Sequence, residues 1–259
     1  MPVLLRTILA LGWFALATLA LAAMQIVALR FGWISTWRAP RLWHRLILSV
    51  LRVRVHVEGA AAGGRPLLVC ANHMSWLDIA VLGSTGDLRF VAKAEMGGWP
   101  GIGTIARLNR TVFVDRGARR RSGDQASEIG TRIAAGDALV LFPEGTTGDG
   151  NGVLPFKSSL FAATRLAAGE GRTVFVQPAA IVYRARGGIR LGRRERATIA
   201  WIGDMDLWPH ILSMLRGGAL DVALAYGEPV AVGPADDRKR LARRMEAEIR
   251  TMVSRLQRD

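Results

Sequence analysis

The chain has 259 residues, 50% of them hydrophobic and 22% charged, which allows a sizeable core in one large domain or two small ones and excludes a disordered tail protein. Thirty-five Lys and Arg against 21 Asp and Glu leave a charge of +14, a balance that favours acidic partners such as phospholipid headgroups, phosphates, acidic proteins or nucleic acid. One cysteine and four scattered histidines exclude a disulfide scaffold and a zinc domain.

No residue from 7 to 29 is charged, and a helix of about 23 residues reaches roughly 34 Å, enough to cross a bilayer core. Ala20, Leu21 and Ala22 offer the A-x-A pattern of a cleavage site. A signal peptide has an apolar region of only about 7 to 15 residues, however, so the run reads as an uncleaved membrane helix. Residues 31–51 mix Trp33, Trp37 and Trp43 with Arg38, Arg41 and Arg45 around apolar positions at helical spacing. That pattern suits an amphipathic helix in the headgroup layer, the alternative being one that lies on its own domain. Arginines are far denser after the apolar run than before it, which by the positive-inside rule puts the main body in the cytoplasm. The predicted organisation is an anchor with an interfacial helix over residues 1–52 and a single domain over 53–259.

Within that domain, Val53, Val55 and Val57 alternate with Arg54, His56 and Glu58, the mark of a strand with one wet face. Continuous apolar runs follow at residues 66–71, 89–92, 111–114, 138–142, 173–183, 197–202 and 220–226, and each predicts a strand. Helical patterns lie at 77–82, 102–108, 126–135, 160–168 and 207–215. A last one, at 236–256, repeats Leu241, Met245, Ile249, Met252 and Leu256 behind an Asp cap. The rhythm is that of an α/β domain with a mostly parallel central sheet flanked by helices. Residues 60–65, 117–124, 145–154 and 184–196 read as loops.

Two stretches carry chemistry. Asn72-His73-Met74-Ser75-Trp76-Leu77-Asp78 places a histidine where a buried strand ends and a helix begins, the usual position of a site in an open α/β sheet. Ser75 and Asp78 also form an S-x-x-D capping box, so helix capping alone accounts for that carboxylate. Five residues apart on one regular helix, His73 and Asp78 diverge by about 140°. If His73 instead precedes the cap, the loop can fold it back within reach of Asp78, whose carboxylate would then fix the tautomer of a neutral imidazole base. The second stretch is Phe142-Pro143-Glu144-Gly145-Thr146-Thr147-Gly148-Asp149-Gly150, a strand running into a glycine-rich loop whose amides can approach an anion. It lacks the Gly-Lys-Ser/Thr ending of a nucleotide-binding P-loop, and a structural turn is its plain reading.

Together these stretches resemble the glycerolipid acyltransferase family of the lysophosphatidic-acid type. Its NHxxxxD motif matches Asn72, His73 and Asp78, and its FPEGT motif matches Phe142 to Thr146. Phe90 to Glu95 with Val112 to Arg116 are similar to the family's middle block, and Val176-Gln177-Pro178 to its last one. The likeness covers roughly residues 50 to 225 in order. It implies transfer of a fatty acyl chain from acyl carrier protein or coenzyme A to a lysolipid hydroxyl at a bacterial inner membrane, with no metal or cofactor beyond the thioester. By the same likeness His73 is the general base and Asp78 its orienter. Arg116 with Glu144, Gly145 and Thr146 would hold the acceptor headgroup, with Lys93 in a lesser part, and Trp76 or Trp99 would border the channel for the apolar tails.

This chain departs from the family where FPEGT commonly continues with Arg-Ser, since Thr147 and Gly148 stand there. An arginine holds a phosphate through two hydrogen bonds, so its loss admits another headgroup. Lysophosphatidic acid, giving phosphatidic acid, is the expected acceptor. Lyso-ornithine lipid is the alternative, because Leu154 to Ser158 also looks similar to the branch that acylates it. A hydrolase would show a G-x-S-x-G elbow, which is absent. A non-catalytic membrane-surface binding protein leaves the pairing of the two motifs unexplained. Nucleic-acid binding would need basic residues clustered in a motif, and here they are spread along the chain.

Overall fold

The computed structural model describes residues 3–114, 122–169, 173–203 and 205–259. Two helices come first, α1 (Val3–Phe31) and α2 (Arg38–Val50). Strands β1 (Val53–Glu58) and β2 (Leu67–Ala71) lead to α3 (Leu77–Gly83), then β3 (Arg89–Lys93), α4 (Ile102–Leu108) and β4 (Val112–Val114). Next come α5 (Ser122–Ala134), β5 (Ala138–Leu141), α6 (Ala162–Ala167), β6 (Val174–Arg186) and β7 (Ile189–Arg190). Helices α7 (Arg193–Ile199) and α8 (Leu207–Arg216), strands β8 (Leu220–Tyr226) and β9 (Val230–Val232), and α9 (Arg238–Leu256) complete the order.

The strands form one sheet in the order β1-β8-β6-β2-β5-β3-β4, with β7 and β9 also paired to β6. β1 with β8, and β2, β3, β4 and β5 with their neighbours, run parallel, while β6 is antiparallel to β7, β8 and β9. Every residue of β2 and β5 is buried. Both faces of these strands are covered, which is why they read as unbroken apolar runs rather than as alternation. Leu67, Val69 and Ala71 point to one core with Leu48, Leu77, Val81 and Met214. Leu68 and Cys70 point to the other with Ile129, Ile133, Phe161, Met245 and Ile249. Helices α2, α3 and α8 thus lie on one side of the sheet and α5, α6 and α9 on the other.

Helix α1 exposes Trp13, Leu16, Leu19 and Ile26, and its stretch Leu11–Phe31 has a mean hydropathy of 1.9 with 11% buried against protein. Gln25 interrupts that apolar run and is buried, its amide donating to the carbonyls of Thr36 and Leu108 at 3.0 and 2.8 Å. Helix α2 rests one face on α1, α3 and β1, and Leu48 and Leu51 enter the core, so packing runs across residue 52. The guanidinium groups of Arg41 and Arg45 both donate to the Ser84 carbonyl at the end of α3.

Residues 197–202 do not form a strand. Ile199 and Ala200 are buried there, but they close the short helix α7, and an apolar run this short does not distinguish the two states. Residues 184–196 hold a hairpin turning on Gly187 and Gly188, at φ +60° and +83°. Positive φ at both central residues matches the right-handed strand twist, so a glycine pair fits. The cap of α9 is Asp237, whose carboxylate accepts the Arg240 N–H at 2.7 Å.

The α2–α3 contact closes on Gly83, where an added Cβ would stand 2.3 Å from Cδ2 of the buried His44 ring. Gly83→Ala is expected to destabilise the protein by about 1–3 kcal/mol through overpacking. Denaturant unfolding in detergent measures it, and a second change, His44→Ala, should return part of the loss.

Candidate active site

β2 and β5 lie side by side in parallel, with Cys70 opposite Leu141. The segments that follow them therefore meet at the carboxyl edge of the sheet, where β2 and β6 also part after Ala71 and Ala179. Asn72 bridges that opening. Its amide nitrogen donates to the Ile181 carbonyl at 2.9 Å and its oxygen accepts the Ile181 N–H at 2.8 Å.

His73 and Asp78 are together because α3 starts only at Leu77, leaving His73 on a loop that doubles back over the first turn. His73 Nδ1 lies 2.9 Å from Asp78 Oδ2. The same oxygen accepts the N–H groups of Met74 and Ser75 at 2.8 and 2.9 Å, while Oδ1 accepts the Tyr183 hydroxyl at 2.8 Å. The Asp78 N–H in turn donates to the Ser75 carbonyl at 3.0 Å, so half of the expected capping box is present and one carboxylate both braces the first turn and holds the imidazole. Since Asp78 only accepts, Nδ1 carries the proton and Nε2 presents its lone pair. The His73 side chain is 16% exposed against 0% for Asp78. The ring stacks on Phe142, centroids 3.9 Å apart and planes at 14°.

The Glu144 carboxylate is buried and accepts the His73 N–H at 2.8 Å through Oε1 and the Leu154 N–H at 3.0 Å through Oε2. A group that accepts from two backbone donors braces the histidine loop. Burial pushes its pKa up to about 7, against the pull of the two N–H groups. Gly145 turns the chain at φ +71°, and a Cβ there would meet the Lys157 amine at 2.7 Å, so the turn requires glycine. Thr146 is exposed beside it. Lys93 is exposed at the end of β3, one strand beyond β5 on the same edge of the sheet. Arg116 lies outside the described residues. Trp76 is half-buried and donates through Nε1 to His210 Nδ1 at 3.0 Å, and Trp99 is half-buried ahead of α4.

The loop over residues 145–154 is tied down rather than open. Gly148 N–H donates to the His73 carbonyl at 2.8 Å, and Thr147 donates its hydroxyl to the Trp201 carbonyl. The Trp201 N–H in turn donates to the Met74 carbonyl at 2.8 Å. Tyr183 and Trp201 are site-forming residues that the motifs do not reveal. Tyr183 did leave a signal, as one of two tyrosines in the chain and at the end of the apolar run Ala179 to Val182, where a buried hydroxyl needs a partner. Among the described residues no cluster of His, Cys, Asp and Glu has the arrangement of a metal site.

The profile of the Acyltransferase family matches residues 52–182. A lyso-ornithine lipid O-acyltransferase from Brucella abortus is 43% identical over 253 residues, covering 96% of this chain and 94% of its own. A 1-acyl-sn-glycerol-3-phosphate acyltransferase from Neisseria meningitidis is 30% identical over 212 residues, covering 81% and 78%. The crystal structure of the 1-acyl-sn-glycerophosphate acyltransferase from Thermotoga maritima superposes with a TM-score of 0.64 at 22% identity, over 97% of this chain and 96% of that one. It shares the fold.

Two substitutions probe the braces. Tyr183→Phe removes a donor from Asp78 and loosens the carboxylate that orients His73. The expected result is a kcat lower by roughly tenfold with an unchanged acceptor KM, read from steady-state turnover. Glu144→Gln turns an NH₂ toward one of two backbone donors, at a cost of about 1–3 kcal/mol. Wild-type stability should also fall as pH rises from about 4.5 to about 7, because the folded chain keeps a proton on Glu144 that the unfolded chain has lost. Melting curves across that range should lack this component in Glu144→Gln.

Proposed function

The chain belongs to the Acyltransferase family and is an acyltransferase of the lysolipid type, and on that premise we propose that its acceptor is lyso-ornithine lipid, acylated to ornithine lipid. The observation that carries this reading is the 43% identity with the Brucella abortus lyso-ornithine lipid enzyme along nearly the whole of both chains. It displaces lysophosphatidic acid as the expected acceptor, since the Neisseria meningitidis enzyme named for that substrate is 30% identical over a shorter span. Thr147 supports it. The position lacks the guanidinium that would grip a phosphate monoester, and the threonine hydroxyl is already donated to Trp201.

In this mechanism the acceptor hydroxyl lies against His73 Nε2 with the carbonyl of an acyl thioester, on acyl carrier protein or coenzyme A, beside it. Nε2 takes the hydroxyl proton as the oxygen attacks the carbonyl carbon. The tetrahedral intermediate collapses, the C–S bond breaks, and the imidazolium returns the proton to the departing sulfur. Asp78 holds the Nδ1–H throughout, and no covalent enzyme intermediate is needed. Arg116, Gly145, Thr146 and Lys93 are proposed on the acceptor side, and Glu144 as the brace described above. The apolar α1 places the enzyme at a membrane, which we assign to the bacterial inner membrane with the catalytic domain on the cytoplasmic side, on the strength of the arginines that follow α1.

Purified protein incubated with acyl carrier protein or coenzyme A thioesters and with lyso-ornithine lipid or lysophosphatidic acid should yield ornithine lipid, identified by mass spectrometry. Phosphatidic acid as the sole product would overturn the acceptor assignment. Folded His73→Ala should lose about 10² to 10⁴ in rate, and wild-type turnover by that variant would overturn the mechanism.

A further inference from the structure

The segment between β7 and β8 carries apolar side chains that the described residues leave exposed. Ile202 is 39% exposed, Met205 46%, Trp208 66% and Leu212 48%. Trp208, Leu212 and Arg216 follow at four-residue spacing and make one stripe of α8, while His210 and Met214 on its other side are buried. A helix apolar on two faces is covered on both, either by protein or by lipid. We infer that the outer face of α8, with Ile202 and Met205 ahead of it, inserts into the surface of the lipid bilayer and forms a second membrane contact beside the one made by α1.

Three observations select a bilayer over a protein partner. First, the patch lies on the side of the sheet that also carries a lipid-suited helix. Helix α2, on the same side of the sheet as α8, exposes Leu42 and packs directly on α1. Second, the charges suit anionic headgroups. By sequence, Arg193, Arg194, Arg196 and Arg216 stand on this segment against Glu195, Asp204 and Asp206, leaving a slight positive excess beside a tryptophan. Third, the segment is fastened to the catalytic loop at three points, by the Trp201 N–H to Met74, Thr147 to the Trp201 carbonyl, and Trp76 to His210. A surface seated in lipid here brings His73 to the level at which a lysolipid exposes its hydroxyl. That third argument rests on the acyl-transfer reading, whereas insertion itself is tested without measuring activity.

The single native thiol supplies a clean test. Cys70 is fully buried and burial pushes its pKa upward, so a surface cysteine will take a label alone. Full-length Leu212→Cys would carry an environment-sensitive fluorophore and be reconstituted into phosphatidylcholine–phosphatidylglycerol vesicles, with Arg244→Cys, exposed on α9 across the sheet, as the reference site. Nitroxide on the lipid acyl chains should extinguish most of the Leu212→Cys emission and blue-shift what remains, leaving the Arg244→Cys label nearly untouched. Equal and weak quenching at both sites would overturn the proposal. So would protection of the Leu212→Cys label from lipid-borne and water-borne quenchers alike, which would mark a protein partner or a second copy on this face.

Discussion

Everything at the carboxyl edge of the sheet is organised around one buried carboxylate, Asp78, which no water reaches and on which four donors converge. Burying a charge without partners is costly, so the loop must bring its N–H groups inward, and in doing so it fixes the path from His73 to Ser75. The imidazole is one of the four donors. Its tautomer and its tilt therefore come with the folding of the loop instead of requiring a separate arrangement. Outward from Asp78 the same economy recurs. Asn72 closes the gap between two strands, Glu144 holds the His73 N–H, and Gly148 caps the His73 carbonyl. His73 has both of its backbone polar groups and one ring nitrogen bound, leaving Nε2 as the group open to react.

Much of this was legible in the sequence, for physical reasons that can be named. Strands β2 and β5 were visible because burial on both faces demands unbroken apolar runs, and α9 because a helix lying on a sheet repeats its apolar residues at three and four. The histidine and aspartate were visible because their spacing, paired with the Phe142 to Thr146 stretch, resembles two family motifs, whereas position alone left helix capping as a sufficient account of Asp78. What stayed hidden depended on contacts between distant positions. Nothing local to residue 144 says that its carboxylate reaches back 71 positions to a backbone N–H, and its neighbours invite a headgroup-binding reading instead. Ile199 and Ala200 look like strand residues because burial, not conformation, dictates their apolar character. The partnership of Tyr183 with Asp78 spans 105 positions, and the sequence discloses only that the hydroxyl must find some partner.

The glycine-rich loop shows how a change of one side chain can be absorbed and reused. A longer basic residue at position 147 would extend toward an anionic ligand, whereas threonine turns its hydroxyl to the Trp201 carbonyl and draws the α7–α8 connection against the loop. The residue at position 147 is thereby tied, through that hydrogen bond, to the placement of a surface segment.

Cys70 sits near the end of β2, three residues before the histidine, in an enzyme for which we propose a thioester donor. Thiols exchange readily with thioesters, and a reactive cysteine beside the base would capture the acyl chain before the lipid hydroxyl did. The alternation of β2 sends Cys70 to the opposite core from Val69 and Ala71, and its burial holds the sulfur in the protonated, unreactive form. The pleat of a single strand, two-residue periodicity and nothing more, thus keeps the chain's one thiol buried in the opposite core, where it cannot take part in such an exchange.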